Sequence, residues 1–151
     1  SCSLVGSEMC IRDRMENQKL VAEGAGAVPV AAVLFHKLPV EGKKVACVVS
    51  GGNIDVNILN RVITRGLVMS GRKANLTIAL EDKPGQLERV AAIVSRCGSN
   101  VVSVQHDGSD PNMPISSCFL KLTLETRDAE QIEQIRAELA KEGFQLVSER
   151  V

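Results

Sequence analysis

The sequence predicts two regions of different fold class: an incomplete α/β segment, then a complete α+β domain with the element order βαββαβ. The first observation is a continuously apolar, β-branched run at residues 45–49, closed by Ser50, Gly51 and Gly52. Such a run is typical of a strand buried on both faces of a parallel sheet. The second observation is that apolar residues beyond residue 74 alternate or recur at helical spacing, which indicates elements with one buried face.

Composition excludes several classes of function. Lys plus Arg and Asp plus Glu number 18 each, so there is no electrostatic case for binding nucleic acid or an acidic membrane surface. With three Phe and no Trp or Tyr, base-stacking platforms and aromatic cages are excluded as well. The longest apolar run, residues 25–35, is too short for a membrane helix, and we see no signal peptide. We therefore expect a cytoplasmic protein with no membrane partner.

The cysteines are odd in number and scattered, without a CxxC pair; they are Cys2, Cys10, Cys47, Cys97 and Cys118. This pattern favours small buried thiols in a reducing compartment over disulfides or a zinc site. The sequence therefore predicts no metal ion.

Residues 1–14, SCSLVGSEMCIRDR, show neither helical nor strand periodicity. They resemble the peptide obtained when sequencing-adapter DNA is translated, and the alternative is a natural disordered leader. We expect a non-native leader that is unstructured and dispensable.

Residues 15–38 predict a helix that is apolar on nearly every side, and such a helix must be buried inside something large. The strand at residues 45–49 follows, and a second helix at residues 54–69 ends near Gly71. Because one strand and two helices cannot make a domain, residues 15–71 are interpreted as the last part of a doubly wound α/β fold.

The rest of the chain, after a short linker at residues 71–73, reads as a whole domain. Its predicted strands are residues 76–81, 100–106, 118–125 and 144–147. The first helix starts near Pro84, and the second starts at Asp128, where Gln131 completes a pattern like a capping box. This order is the ferredoxin-like α+β arrangement.

Two glycine motifs invite a ligand interpretation. Gly24 and Gly26 fail as a dinucleotide fingerprint, because the third glycine would fall at Pro29 and no strand precedes the motif. The sequence SGGN at residues 50–53 follows the predicted buried strand, where α/β sheets bind ligands, although SGG is also a common turn.

Together the motifs resemble a known family. KLVAEGAGA at residues 19–27 and KKVACVVSGGNID at residues 43–55 resemble the end of the catalytic domain of threonine ammonia-lyases and related serine/threonine dehydratases. EDKPGQL at residues 81–87, GSNVVSVQHD at residues 98–107 and LKLTLETRDAEQIEQI at residues 120–135 resemble the ACT domain appended to one branch of that family.

The resemblance implies that residues 15–71 end a fold-type II catalytic domain dependent on pyridoxal 5'-phosphate (PLP), and that residues 72–151 form an ACT regulatory domain. Ser50 would hydrogen-bond the pyridine nitrogen of PLP, Glu23 would lie near the ring, and Gly51, Gly52 and Asn53 would shape the pocket wall. The Schiff-base lysine and phosphate loop belong to upstream sequence, so the chain alone should not convert threonine to 2-oxobutyrate and ammonia.

The ACT resemblance also implies an amino-acid effector, with isoleucine or valine expected from feedback on isoleucine biosynthesis, and assembly into a homo-oligomer. The expected effector-binding residues lie on the turn after the first strand and at the start of the next strand: Asp82, Pro84, Gly85, Gln86, Leu87, Asn100 and Val101. Backbone N–H groups at the helix start would suit the carboxylate of the effector. His106 is either a structural histidine at a strand end or a ligand contact.

Two alternatives to the threonine ammonia-lyase interpretation stay open at this point. In the first, the chain is a non-catalytic amino-acid-binding regulator in which residues 15–70 serve dimerisation. In the second, it is part of a sibling serine/threonine dehydratase. A free-standing regulator would have to cover the apolar surface of residues 20–49, whereas a part of a larger enzyme leaves it exposed.

Overall fold

The computed structural model describes residues 4–109 and 113–147. The chain divides into two compact units, Ser1–Gly66 and Leu67–Val151, which are described separately. The division falls within a helix, five residues before the predicted boundary after Gly71 (71 − 66). No helix of the described part is long and apolar enough to span a bilayer.

The first unit is helical. Helix α1 is Leu4–Asp13, a π-helical turn is Arg14–Gln18, α2 is Gly24–Leu34 and α3 is Val56–Met69. Its core is small and consists of Cys10, Ile11, Ala27, Val30, Ala31 and Val62. The expectation that residues 1–14 are unstructured is wrong for the described residues 4–14, because α1 buries Cys10 and Ile11 against apolar residues of α2. That these residues are a non-native leader stays a prediction.

The helix predicted at residues 15–38 is interrupted. Lys19 ends the π-helical turn with a positive φ of 59°, and the extended Glu23 precedes α2. Because a left-handed residue cannot continue a right-handed helix, the two helical pieces are separated by residues 19–23. Only the second piece carries the apolar run, and it accommodates Pro29 in its interior.

The strand predicted at residues 45–49 does not form, since these residues have no regular secondary structure. Val45 is 47% exposed and Val48 is 80% exposed. A central strand requires neighbours for its backbone N–H and C=O groups. Within the described ranges the sheet lies entirely in the second unit, so this segment lacks strand partners. The interpretation of residues 15–71 as part of a PLP-enzyme fold stays a prediction.

The second unit has the predicted order βαββαβ. Strand β1 is Lys73–Glu81, α4 is Gln86–Arg96, β2 is Asn100–Asp107, β3 is Ser117–Glu125, α5 is Ala129–Lys141 and β4 is Gln145–Val147. The strands form an antiparallel sheet in the order β2-β3-β1-β4, which makes β2 an edge strand. Both helices pack on one face, over a core that includes Ile78, Val90, Ile93, Leu120, Leu124, Ile135 and Leu139. The ferredoxin-like expectation is confirmed.

The start of α5 is capped as the sequence predicts. Asp128 accepts a hydrogen bond from the backbone N–H of Gln131 at 2.8 Å, and the side-chain oxygen of Gln131 accepts one from the backbone N–H of Arg127 at 2.6 Å. The N–H of Gln131, which the helix leaves without a backbone partner, and the N–H of Arg127 just before the cap are thereby satisfied.

The segment predicted as a linker at residues 71–73 is part of the second unit. Gly71 is buried, and its carbonyl accepts a 2.6 Å hydrogen bond from the hydroxyl of the buried Thr126. The carbonyl of Arg72 accepts a hydrogen bond from the backbone N–H of Thr126 at 3.1 Å, and β1 begins at Lys73. The expectation of a short linker at these residues is therefore wrong, because they are held within the second unit.

Candidate functional site

The residues expected at the cofactor meet through backbone contact between the start of α2 and the SGGN segment. A Cβ placed on Gly26 would lie 1.7 Å from the carbonyl oxygen of Ser50, and one on Gly51 would lie 2.3 Å from the backbone nitrogen of Glu23. Gly51 also has a φ of +142°, which residues with a Cβ rarely adopt. Glycine is therefore required at positions 26 and 51, and the structure holds Glu23 beside Gly51 and Ser50 beside α2.

The side chains at this contact differ in their access to solvent. Glu23 is half-buried, whereas Ser50, Gly52 and Asn53 are exposed. Glu23 and Asn53 line a cavity of about 390 Å³ whose apolar wall includes Ile54 and Val62. Ser50, Gly51 and Gly52 do not line this cavity. Of the five residues expected together, Ser50, Gly51 and Glu23 thus meet in the backbone contact, Glu23 and Asn53 line the cavity, and Gly52 is in neither group.

Ser50 offers a hydroxyl to one edge of a pyridoxal ring, whereas the lining of the cavity does not fit the phosphate of PLP. An exposed serine hydroxyl is a neutral partner for a ring nitrogen. The described residues lining the cavity include the carboxylates of Glu8, Glu23 and Asp55 and no lysine or arginine, so they would repel a phosphate group. A complete cofactor site thus needs cationic or backbone N–H groups from outside this contact.

Most of the expected effector residues come together on the turn between β1 and α4. Asp82 follows β1 directly, and Gly85 is the N-cap residue of α4 with a φ of +89°. The space beside the Gly85 Cα is open, since a Cβ there would have no atom within 4 Å. The first N–H groups of α4 border this space and suit a carboxylate.

Asn100 and Val101 lie at the opposite end of the same sheet. Asn100 pairs with Glu125, which pairs in turn with Lys73 at the start of β1, whereas Asp82 follows the end of β1. At about 3.4 Å per residue, the two ends of this strand are roughly 27 Å apart. The expectation that the turn adjoins the start of the second strand is therefore wrong within a single chain.

The turn residue Asp82 instead neighbours His106, which the sequence left as either a structural histidine or a ligand contact, and Cys118, which was not expected at the site. Its Oδ1 is 3.2 Å from Nε2 of His106, and Sγ of Cys118 lies within 4.8 Å of both side chains. Burial raises the pKa of the Cys118 thiol, and the negative charge of Asp82 raises it further. The three residues are far apart in the sequence, and the strand register brings them together, so spacing gave no signal.

By sequence, the chain is similar to part of the L-threonine ammonia-lyases. No protein-family profile matches it. It is 49% identical over 132 residues to an L-threonine ammonia-lyase of Thermotoga maritima, covering 87% of this chain and 33% of the relative. It is 39% identical over 130 residues to an L-threonine ammonia-lyase of Geobacter sulfurreducens, covering 86% of this chain and 32% of the relative.

Among solved structures, the chain is similar to the ACT domain of a prephenate dehydrogenase from Bacillus anthracis. The match has a TM-score of 0.36 and 19% identity, and it covers 49% of this chain and all of that domain. At this score the superposition does not by itself assign a fold.

The sequence match extends through both units, because its 132 residues exceed the length of either. The chain spans about a third of the length of the curated relatives it matches. The resemblance recognised in its motifs is confirmed, and the chain is a homologue of the C-terminal part of the L-threonine ammonia-lyases.

Proposed function

We propose that this chain is the C-terminal part of a PLP-dependent threonine ammonia-lyase, in which the second unit senses an amino acid and regulates the enzyme. The observation that carries the proposal is the 49% identity to an L-threonine ammonia-lyase over 132 residues. In the intact protein the reaction would convert threonine to 2-oxobutyrate and ammonia, a first step toward isoleucine.

The exposed apolar surface of the first unit supports a larger parent over a free-standing regulator. Leu34 is 56% exposed, Leu38 is 51% exposed and Val48 is 80% exposed. Large apolar side chains exposed to this degree suit a surface that another part of a protein covers. We assign that role to the upstream part of the catalytic domain.

PLP, when bound, supplies the electron sink for breaking bonds at the α-carbon of the substrate. The proposed role of this chain is to present the Ser50 hydroxyl to the ring nitrogen. Glycines at positions 26 and 51 support that role, because they let α2 hold the backbone at Ser50 in a fixed place. The lysine and the phosphate site would come from upstream sequence.

A chimera tests the catalytic proposal. We would replace the matching C-terminal part of the Thermotoga maritima enzyme with residues 15–151 and measure 2-oxobutyrate formation from threonine. We expect turnover by the chimera, a lower rate in its Ser50→Ala variant, and none from the 151-residue chain with added PLP. A folded chimera without turnover, or turnover by the isolated chain, would contradict the proposal.

The regulatory part of the proposal rests on the edge strand β2. Its exposed backbone edge and half-exposed Val102 and Val104 suit pairing with a second copy of the chain. If two β2 strands pair antiparallel about Val104, Asn100 of the second copy lies opposite Gly108, at the end of the sheet that carries Asp82. A twofold dimer would thus unite the two halves of the effector-binding set, with isoleucine or valine between them.

Oligomeric state and calorimetry test the regulatory part. We expect the chain to be a dimer that Val104→Lys dissociates, whereas Val147→Lys, on the opposite edge strand, leaves it intact. Isoleucine or valine should release heat that Asn100→Ala and Val104→Lys both abolish, with threonine and serine as comparison ligands. A monomeric chain would contradict the dimer, and a dimer that gives no heat with any of the four would leave β2 an assembly role only.

A further inference from the structure

Three potential metal ligands converge at one end of the sheet in the second unit. Asp82 follows β1, His106 lies near the end of β2, and Cys118 lies near the start of the intervening strand β3. One ligand atom of each residue lies within 4.8 Å of the other two, and the carboxylate oxygen and imidazole nitrogen are 3.2 Å apart. Donor atoms bound to one zinc ion at 2.0–2.3 Å lie about 3.3–3.8 Å from one another. Small side-chain adjustments therefore suffice to place all three on a single ion.

Strand register, and not chance proximity of flexible side chains, sets this convergence. His106 pairs with Leu120 across β2 and β3, and Cys118 is two residues from Leu120 on the same strand. Because alternate residues of a strand share a face, His106 and Cys118 leave the same face of the sheet. Cys118 also pairs with Leu80, two residues before Asp82.

We propose that Asp82, His106 and Cys118 bind a divalent transition-metal ion of the zinc class. Carboxylate, imidazole and thiolate are the side-chain ligands that zinc and cobalt take in proteins. A thiolate and a carboxylate together balance the charge of a divalent cation, and the imidazole binds as a neutral ligand. The proposal concerns a site on the second unit and does not depend on threonine ammonia-lyase activity.

The burial of the three residues suits a metal site with an open position. Cys118 is 1% exposed, so its sulfur is held by the core, whereas the side chains of Asp82 and His106 are each 54% exposed. An ion can therefore enter from solvent on the side of the two exposed ligands. Three protein ligands leave a fourth position for water or for a small molecule with a nitrogen or oxygen donor.

A single divalent ion can contact Asp82 and Cys118 together, because their ligand atoms lie within 4.8 Å of each other. The competing interpretation is a plain Asp82–His106 hydrogen bond beside a buried, protonated cysteine.

Cobalt titration of the full chain under reducing conditions separates the two interpretations, because a thiolate bound to cobalt gives a near-ultraviolet charge-transfer band. We expect one equivalent of Co²⁺ to give this band together with the visible bands of a four-coordinate ion, and Zn²⁺ to abolish both. His106→Gln should raise the Kd for Co²⁺ roughly tenfold or more. Cys118→Ser should remove the charge-transfer band, and Cys97→Ser, at a partly buried thiol of the same unit, should retain it.

The exposed ligands keep the test decisive if Cys118→Ser fails to fold, because Asp82→Asn and His106→Gln alter side chains that are half in solvent. Absence of the charge-transfer band in the unmodified chain would overturn the proposal. A band of unchanged strength in both Asp82→Asn and His106→Gln, or one that Cys97→Ser removes, would overturn it as well.

Discussion

The side-chain amide of Gln131 donates a hydrogen bond to the carbonyl oxygen of Cys97 at 2.8 Å. Gln131 is only 4% exposed, and Cys97 is the C-cap residue of α4. One side chain thus caps the start of α5 and satisfies a carbonyl at the end of α4. The end of α4 and the start of α5 are therefore joined by hydrogen bonds of the same residue.

Replacing this glutamine tests the tie. Gln131→Ala leaves the carbonyl of Cys97 and the N–H of Arg127 without their partner, and a lost buried hydrogen bond typically costs about 1–3 kcal/mol. We expect the free energy of unfolding of the second unit, measured by urea denaturation, to fall by that amount. Gln134→Ala, at an exposed position of the same helix, should change it by less than about 0.5 kcal/mol. Equal effects of the two variants would contradict this role.

The contact between α2 and Ser50 predicts that alanine destabilises the chain at one of two nearby glycines and is tolerated at the other. Gly26→Ala would force a methyl group into the backbone of Ser50, and overpacking of this kind costs about 1–3 kcal/mol or more. Gly24→Ala meets nothing within 4 Å and should be neutral or slightly stabilising. Thermal unfolding of the full chain should separate the two, and an unchanged midpoint for Gly26→Ala would contradict the contact.

Helix α1 leads to a prediction about the first residues of the chain. Ile11 is 3% exposed in the core of the first unit, so Ile11→Ala should reduce the stability of that unit by about 2–5 kcal/mol. Met9→Ala, at a residue that is 39% exposed on the same helix, is the matched control. The rate of limited proteolysis would report the stability of the first unit in each variant. If Ile11→Ala behaves like the control, residues 1–14 are the dispensable leader that the sequence alone suggests.

Asp107 gives the fold a dependence on pH at the acid end. Hydrogen bonds from the Ser109 hydroxyl, the Lys121 ammonium group and the Ser109 backbone N–H lower the pKa of Asp107 from 3.8 to about 2. Since the folded-state pKa is the lower one, the stabilisation is complete above about pH 4 and is lost as the pH falls through 2. NMR titration of the carboxyl carbon of Asp107 should show this pKa. Ser109→Ala should raise the pKa of Asp107, whereas Ser103→Ala, on the same strand as Asp107, should leave it unchanged.

The fold of the second unit was predictable because the sequence patterns that mark its strands and helices are local. Leu120, Leu122 and Leu124 alternate with polar residues in β3, and the capping pair Asp128 and Gln131 marks a helix start without reference to any other part of the chain. Each element buries its apolar face against the others within the same unit, so local pattern and final fold agree.

The first unit shows where local patterns are insufficient. The apolar run at residues 45–49 predicts a strand only on the condition that neighbouring strands exist, and the described part of the chain supplies none there. Helix α1 was missed because its contribution to the core rests on the adjacent pair Cys10 and Ile11, which shows no helical repeat. Burial in both cases depends on partners that the local sequence does not reveal.

The candidate site residues come from the family resemblance, and the sequence did not reveal how they are arranged. Resemblance grouped Asn100 with Asp82, yet strand register puts them at opposite ends of a sheet. The same register places His106 beside Asp82, a pair that no sequence spacing indicates. Register is set by pairing across the whole sheet, so it becomes visible only when the strands are assembled.

The contact between Gly26 and Ser50 also determines where the chain tolerates extra length. These residues are 24 positions apart (50 − 26), and residues 41–46 between them are exposed, with open space around Gly42. Doubling the length of a flexible loop adds only about 0.6 kcal/mol to the entropy cost of closing it. An epitope tag or a fluorescent-label peptide inserted after Gly42 should therefore leave the contact between Gly26 and Ser50 intact. This makes the segment the natural attachment point for following the protein in solution.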